Sequence, residues 1–234
     1  MGLLCTIGMR GGSKGVPNKN MRLLHGKPLM AYTIEQAKES GLFEHIVVST
    51  DSEQIAEIAR THGAEAWFLR PPELATDEAA KLPAIRHVLL ESEKQYNKKF
   101  EVICDLDVTS PLRFAIDITN AYEQFKTENA DILISAAPSR KNPYFNMVEV
   151  TDGRVKLVKD NENDNPIRRQ DAPKVYDMNA SIYFYQRNAL LTCKTLITDK
   201  TSLYVMPEDR SIDIDSELDF EFVDFIMGKR NGNN

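Results

Sequence analysis

A glycine-rich basic segment near the N-terminus holds residue types that could bind phosphate. Residues 10–20 contain three glycines, a serine, two lysines and an arginine. Closely spaced glycines let backbone amides approach a ligand, and the basic side chains add positive charge. The segment therefore predicts a phosphate site at the end of the apolar run of residues 4–8. The residues assigned to it are Arg10, Gly11, Gly12, Ser13, Lys14, Lys19 and Asn20.

The spacing in this segment fits neither of two common phosphate motifs. A P-loop requires glycine directly before its lysine, but Ser13 precedes Lys14. The Gly-x-Gly-x-x-Gly spacing of dinucleotide sites is also missing. The alternative is a flexible surface turn whose basic side chains are only solvated. The positions of Arg10, Pro17 and Asn20 favour the phosphate site.

A pair of aspartates near the C-terminus has the chemistry of a metal site. Asp213 and Asp215 alternate with isoleucines, so a short strand would put both carboxylates on one face. Mg²⁺ usually takes one or two protein carboxylates plus substrate phosphates. We therefore expect Mg²⁺ (or Mn²⁺) at this pair. The alternative is a solvated strand in which Asp215 or Ser216 caps the final helix.

A second pair, Asp105 and Asp107, follows the apolar run of residues 102–104. Same-side carboxylates at a strand end are costly unless they are paired, hydrogen-bonded or metal-bound. An extra cation is one explanation. Another is that Asp105 caps a neighbouring loop while Asp107 pairs with Lys81 or Arg113.

The elements that must position these residues alternate between strand and helix. Apolar runs at residues 4–8, 46–50 and 64–69 predict strands, and the periodicity of residues 29–40 and 52–62 predicts helices. Asp51 is the expected N-cap of the second helix. This order indicates an α/β fold, a doubly wound and mostly parallel sheet, whose ligands bind beyond the carboxyl ends of the strands.

Composition excludes several classes of protein. The net charge of −6 argues against a nucleic-acid binder, and no apolar run is long enough to span a membrane. The N-terminus does not have the pattern of a signal peptide. Cys5 and Cys104 lie in apolar runs, which indicates reduced core residues and a cytoplasmic location.

The composition changes between residues 138 and 175, where prolines and polar residues accumulate. Residues 147–150 and 155–158 predict a hairpin around Thr151–Arg154. Such a long excursion is usually functional or disordered, and a mobile surface flap is the alternative to a functional arm.

Four motifs resemble the CMP-sialic acid synthetases (acylneuraminate cytidylyltransferases), and the resemblance extends from the glycine segment to the final helix. The motifs are Arg-Gly-Gly-Ser-Lys-Gly-Val-Pro-x-Lys-Asn at 10–20, Thr-Ser-Pro-Leu-Arg at 109–113, Arg-Arg-Gln-Asp-x-Pro at 168–173 and Ile-Asp-Ile-Asp at 212–215. The resemblance implies one nucleotidyltransferase domain over residues 1–234, of the nucleotide-diphospho-sugar transferase type. It also implies that residues 138–175 form an inserted dimerisation arm, and hence a homodimer.

The resemblance further implies CTP and a nine-carbon α-keto acid sugar as substrates, with release of pyrophosphate. Catalytic roles fall on Arg10, Lys14 and Lys19, which would stabilise the charge of the leaving group. The other implied nucleotide contacts are Arg70, Lys81, Asp107 and Ser110. The implied sugar contacts are Arg168, Arg169, Gln170 and Asn179. The arginines suit the carboxylate of the sugar, because a guanidinium recognises a carboxylate well.

Three positions depart from the family pattern. Asp107-Val108 replaces the usual Gln-Pro, Lys81 replaces a small serine, and Ala180 replaces a glycine. Asp-Val-Thr-Ser-Pro is similar to the branch that activates legionaminic acid, so we expect that sugar, with N-acetylneuraminic acid second. A GTP-dependent nucleotidyltransferase, a metal-dependent glycosyltransferase and a non-catalytic nucleotide-binding regulator are the alternatives.

Overall fold

The computed structural model describes residues 2–12, 15–159 and 168–232. Its strands are β1 (Leu3–Gly8), β2 (Leu23–Leu24), β3 (Lys27–Pro28), β4 (His45–Ser49), β5 (Val102–Leu106), β6 (Ile132–Pro138), β7 (Val148–Thr151), β8 (Arg154–Leu157), β9 (Tyr176–Gln186) and β10 (Thr201–Val205). Its α-helices are α1 (Leu29–Glu39), α2 (Glu53–Thr61), α3 (Lys81–Tyr96), α4 (Ala115–Thr127), α5 (Arg187–Thr192) and α6 (Glu217–Gly232). Short 3₁₀ turns lie at Lys19–Met21, Pro72–Leu74, Arg169–Asp171 and Glu208–Arg210.

Six strands form one sheet in the order β10-β6-β9-β5-β1-β4. The pairs β1–β4, β1–β5 and β10–β6 are parallel, and β9 runs antiparallel to both of its neighbours. This arrangement confirms the predicted α/β fold with a mostly parallel sheet. Because β1 lies between β4 and β5, the chain leaves it in opposite directions, and such a switch point opens a crevice at the carboxyl ends of the strands.

Apolar residues cover both faces of the sheet, because successive side chains of a strand point to opposite sides. Cys5 and Cys104 pack in the core under α1, α2, α4 and α6, whereas Leu4 and Ile103 pack in the core under α3 and α5. All four side chains are fully buried. The layered core therefore fixes the sheet edge from which the loops described below emerge.

Two local predictions were wrong. Ser52, not Asp51, caps α2, and its side chain accepts a hydrogen bond from Ile55 N at 3.4 Å. Residues 64–69 form no strand; a single bridge joins Val47 to Glu65. The carboxylate of Asp51 instead accepts the amide of Gly11 at 2.8 Å.

The predicted hairpin is present as β7 and β8, which pair antiparallel. Its turn residues Asp152 and Gly153 have φ of 52° and 72°, as a type I′ turn requires. The pairing puts an apolar set on one face of the ribbon, and most of it is exposed to solvent. That set is Val148, Val150, Val155 and Leu157.

In the described part of the chain, no helix is long and apolar enough to cross a bilayer.

Candidate active site

The loops after β1, β4 and β5 and the start of α3 surround a cavity of about 230 Å³. Five residues singled out from the sequence line it together with side chains that the sequence did not indicate: Arg10, Arg70, Lys81, Asp105 and Asp107. These cavity residues come from segments up to about 100 positions apart. The parallel topology brings them together because the carboxyl ends of neighbouring strands share one edge.

Arg10 reaches across the cavity to the turn after the Pro72–Leu74 3₁₀ segment. Its Nη1 donates to the Asp77 carboxylate at 2.9 Å and to the carbonyl of Thr76 at 3.0 Å. The backbone of Arg10 is fixed separately, since Asn20 Nδ2 donates to its carbonyl at 2.9 Å. Asn20 therefore positions the loop, and Arg10 presents its guanidinium to the cavity.

Arg70 is buried at the floor of the cavity beside β4. Its Nε donates to Ser49 Oγ at 3.0 Å and its Nη2 to the Ser49 carbonyl at 2.7 Å. Burial lowers the pKa of Arg70, and the carboxylates of Asp105 and Asp51 oppose that shift. A Cβ at Gly8 would stand 3.0 Å from Arg70 Nη2, so a side chain there would press on the guanidinium. The guanidinium is thus held rigidly where a phosphate or a base could meet it.

Lys81 bridges the two aspartates of β5 and its following loop. Its Nζ lies 2.9 Å from Asp105 Oδ2 and 2.5 Å from Asp107 Oδ2, and 4.0 Å from the centroid of the Tyr183 ring. Burial would lower the pKa of Lys81, but the two carboxylates outweigh it and raise that pKa well above its ordinary value. Thr6 Oγ1 donates to Asp105 Oδ1 at 2.5 Å. Pairing of Asp107 with Lys81 was one of the sequence-based alternatives.

Lys19 joins the glycine segment to the C-terminal aspartate pair. Its Nζ donates to the Ile214 carbonyl at 2.5 Å and lies 3.9 Å from Asp215 Oδ1. Gly15 approaches the same backbone so closely that a Cβ would stand 2.0 Å from the Asp215 carbonyl oxygen. Glycine is therefore obligatory at position 15. The predicted phosphate segment and the predicted metal ligands therefore meet directly.

Asp213 and Asp215 do not lie in a strand, which corrects the sequence prediction. Their segment has no regular secondary structure and joins the Glu208–Arg210 turn to α6, and Ile214 N donates to the Thr109 carbonyl at 2.9 Å. Ser216 begins α6 in a reciprocal cap with Asp219, whose Oδ2 accepts Ser216 N at 2.8 Å.

The two carboxylates differ in their surroundings. Asp215 is largely exposed, whereas Asp213 Oδ1 is buried and has no hydrogen-bond partner in the described structure. Burial raises the pKa of Asp213 to about 6, opposed by a hydrogen bond with Thr109 and assisted by the Asp215 carboxylate. Across the described residues, no three His, Cys, Asp or Glu side chains come together as a metal cluster.

Two predicted contact residues, Ser110 and Asn179, contact each other outside the cavity lining. Ser110 Oγ donates to the Asn179 carbonyl at 3.2 Å. The Asn179 amide is buried, accepting from Ser135 Oγ at 2.7 Å and donating to Ser211 Oγ at 3.0 Å. Direct contacts of Ser110 with nucleotide and of Asn179 with sugar stay predictions.

The remaining predicted residues lie away from the cavity or outside the description. Arg168 is exposed and its Nε donates to Asp171 Oδ2 at 3.2 Å, while Gln170 lines a separate cavity beside Pro138 and Tyr176. Arg169 begins the adjacent 3₁₀ turn. Gly12 has open space around its α-carbon. Ser13 and Lys14 lie outside the described residues.

Sequence reasoning missed several residues that line the cavity. Thr6 and Ser49 face it from β1 and β4, and Thr76 and Asp77 close one side. Thr6 could have been found, because it precedes Gly8 by two positions on the strand that feeds the phosphate segment. Asp77 carries no local signal that distinguishes it from a solvated loop acid.

The cavity lies at the carboxyl edge of the sheet, where α/β folds of this type bind their ligands. A solved structure of CMP:2-keto-3-deoxy-manno-octonic acid synthetase complexed with CTP matches 98% of this chain and 100% of its own, with a TM-score of 0.73 and 14% identity, and so shares the fold. Residues 4–222 match the cytidylyltransferase family, and the chain belongs to that family. It is therefore a nucleotidyltransferase.

Two bacterial relatives are similar over almost the whole chain. A post-translational flagellin modification protein B from Campylobacter coli is 49% identical over 229 residues, covering 98% of this chain and 96% of its own. A CMP-N,N′-diacetyllegionaminic acid synthase from Campylobacter jejuni subsp. jejuni has the same identity and coverage. The resemblance to the acylneuraminate cytidylyltransferases is thereby confirmed.

Proposed function

We propose that this enzyme transfers CMP from CTP to legionaminic acid or a close derivative and releases pyrophosphate. The anomeric hydroxyl oxygen attacks the α-phosphorus, the new O–P bond forms, and the bond to the β-phosphate oxygen breaks. The hydroxyl proton leaves to solvent. The observation that carries the proposal is the 49% identity to a CMP-N,N′-diacetyllegionaminic acid synthase over nearly the whole length of both chains.

The cavity chemistry supports nucleotidyl transfer. Arg10 and Lys19 emerge from one segment, and Arg70 stands behind the cavity beside Gly8. Arg10 and Arg70 line this concave site and suit a triphosphate, and Lys19 belongs to the same segment as Arg10. We assign to these cations the stabilisation of the charge that develops on departing pyrophosphate. Lys14 belongs to the same segment and is proposed for the same role. A glycosyltransferase would not need such a cradle, since it releases no pyrophosphate.

We further propose Asp213 and Asp215 as the ligands of Mg²⁺ or Mn²⁺. The fit rests on the buried Asp213 Oδ1, which has no described hydrogen-bond partner, and on the exposed Asp215 carboxylate beside it. Two carboxylates suffice because Mg²⁺ usually completes its shell with waters and substrate phosphates. When bound, the ion polarises phosphate oxygens. Lys19 holds the backbone between the two ligands in place.

The Lys81–Asp107 pair supports the choice of sugar. It replaces the serine and glutamine typical of the enzymes that use N-acetylneuraminic acid, so a neutral pair of side chains becomes an ion pair at the cavity. A site with different hydrogen-bond donors and acceptors selects a sugar with different substituents. Arg168, Arg169, Gln170 and Asn179 remain our proposed sugar contacts, with the arginines assigned to the sugar carboxylate.

The deciding experiment is pyrophosphate release by the purified enzyme with Mg²⁺ and CTP. N,N′-diacetyllegionaminic acid and N-acetylneuraminic acid are compared as acceptors, and GTP replaces CTP in a control. We expect a much higher kcat/KM with CTP and the first sugar. The opposite preference would assign the enzyme to N-acetylneuraminic acid, the second candidate, and no release with either sugar would overturn the proposal.

We also propose a homodimer formed through the arm and a cytoplasmic location. An isolated two-stranded hairpin is marginally stable, and the ribbon of β7 and β8 leaves Val148, Val150 and Val155 exposed. A second copy of the same face would cover them. The three cysteines are free thiols, which suits a reducing compartment.

A further inference from the structure

Arg10 is already engaged by an anion of its own chain. Its Nη1 donates to Asp77 Oδ1 at 2.9 Å and to the Thr76 carbonyl at 3.0 Å, and both partners belong to the turn that precedes α3. The two side chains of the ion pair are 37% and 47% exposed, so the pair lies at the mouth of the site. A guanidinium Nη has two hydrogens, and both have partners here.

The turn also restricts the cavity. Thr76, Asp77, Ala79 and Ala80 line it opposite the loops of β1 and β4. The cavity of about 230 Å³ is smaller than the roughly 300–1,000 Å³ of typical small-molecule sites. An anion that binds Arg10 Nη1 must displace Asp77 and Thr76 from it.

The turn has the means to move. Its backbone contacts include Ala75 N to the Pro72 carbonyl at 3.0 Å and Ala79 N to the Thr76 carbonyl at 3.2 Å, which are bonds within the turn itself. Thr76, Asp77 and Glu78 are exposed. Segments with few buried contacts open at low free-energy cost. The Arg10 bonds link this turn to the glycine-rich segment.

We propose that Asp77 is an affinity-determining residue that competes with the nucleotide triphosphate for Arg10. In the closed arrangement the carboxylate satisfies the guanidinium; when nucleotide enters, phosphate oxygens replace it and the turn moves away. Asp77 therefore weakens nucleotide binding, because its ion pair with Arg10 in the free enzyme must be broken before the phosphates bind. This inference rests on the proposed CTP site.

The test compares Asp77→Asn with Glu78→Gln, which removes the same charge from the neighbouring residue outside the cavity lining. Dissociation constants for CTP and for tripolyphosphate are measured by calorimetry without sugar. We expect Asp77→Asn to tighten both by about two- to fivefold, the size of a partly exposed ion pair, and Glu78→Gln to leave both unchanged. In an Arg10→Ala background the Asp77→Asn effect should vanish.

Weaker or unchanged binding in Asp77→Asn would overturn the inference and make Asp77 a support for Arg10. A lower kcat with unchanged Kd would have the same consequence. An equal effect of Asp77→Asn with and without Arg10 would also overturn it. Tripolyphosphate binding without CTP binding would reject the proposed nucleotide while still measuring the competition at Arg10; binding of neither would reject both.

Discussion

Lys19 donates to the main-chain carbonyl of Ile214 at 2.5 Å, across 195 positions of the chain. Ile214 lies between Asp213 and Asp215, and Lys19 Nζ is also 3.9 Å from Asp215 Oδ1. This hydrogen bond therefore ties the predicted phosphate segment to the backbone of the proposed metal ligands. Displacing either one would displace the other.

This bond makes Lys19 a sharp test of the proposed catalysis. Lys19→Met should lower kcat by about 10²-fold or more, because it removes charge from the leaving-group side and frees the Ile214 carbonyl. Arg10→Ala should cause a loss of similar size. The measurement is pyrophosphate release at saturating CTP. The control is Lys38→Met, which removes an exposed lysine bonded to the His62 carbonyl. A near-normal kcat in Lys19→Met would show that Lys19 has no catalytic role.

The Lys81–Asp107 ion pair should behave as a coupled unit. Lys81→Ser leaves Asp105 and Asp107 without their common cation beside the phosphates, so KM for CTP should rise about tenfold or more. Asp107→Gln alone should cost less. The double variant should raise the KM for CTP by less than the product of the two single increases. The difference should correspond to a coupling free energy of roughly 1–3 kcal/mol.

That cycle also tests sugar choice. If the pair selects the acceptor, the double variant should have a higher ratio of kcat/KM for N-acetylneuraminic acid to kcat/KM for N,N′-diacetyllegionaminic acid. Strict additivity of the single effects, or an unchanged preference, would make the two substitutions independent variations.

Arg187 and Glu93 form a stabilising pair with a definite pH dependence. Arg187 Nε and Nη2 donate to the two Glu93 oxygens at 2.7 and 2.8 Å. The hydrogen bonds from Arg187 lower the pKa of Glu93. A lowered folded-state pKa gives stability that is present above the unfolded-state pKa and lost as pH falls through the folded-state pKa.

Glu93→Gln should therefore lower the free energy of unfolding by about 1–2 kcal/mol at pH 7, with a difference that shrinks below about pH 4. Urea unfolding across that range measures it. Glu91→Gln breaks an exposed pair with Lys94 and should change stability by less than about 0.5 kcal/mol. A Glu93→Gln effect independent of pH would contradict the electrostatic explanation.

Ala180 occupies a left-handed conformation in β9, with φ of 41°. The register of β9 with β6 shifts beside it, between Ile134 and Ala136. Ala180→Gly should raise the free energy of unfolding by about 0.5–1 kcal/mol, because glycine has no Cβ to strain there. Thermal or urea unfolding gives the value. Ala189→Gly in α5 should have the opposite sign, and destabilisation by Ala180→Gly would refute the strain.

The apolar face of the arm predicts self-association. Val150→Asp puts a charge among Val148, Val155 and Leu157 and should convert the dimer to monomer in sedimentation experiments. Thr151→Asp adds the same charge to the opposite face and should leave the dimer intact. A monomeric native enzyme, or equal effects of both variants, would reject the arm as the interface.

Much of the fold was predictable because its signals are local. Apolar runs, helical periodicity and the Thr151–Arg154 turn depend on residues within a few positions of one another, and the α/β class and the hairpin followed from them. The errors were also local. Residues 64–69 are apolar enough for a strand, but only Glu65 pairs with β4. Ser52 directly precedes α2 and caps it, while Asp51 accepts the amide of Gly11 instead.

The sequence by itself determined the segment that could bind phosphate, the alternating aspartates and the family resemblance, because each lies within a short stretch whose residue types limit its chemistry. Only the tertiary structure decided that Lys81 takes both Asp105 and Asp107, that Asp77 holds Arg10, and that Lys19 reaches Ile214. Those pairs are separated by 24 to 195 positions in the printed sequence. Their contact depends on strand order and on which loops meet at the sheet edge, which are properties of the assembled core rather than of any one segment.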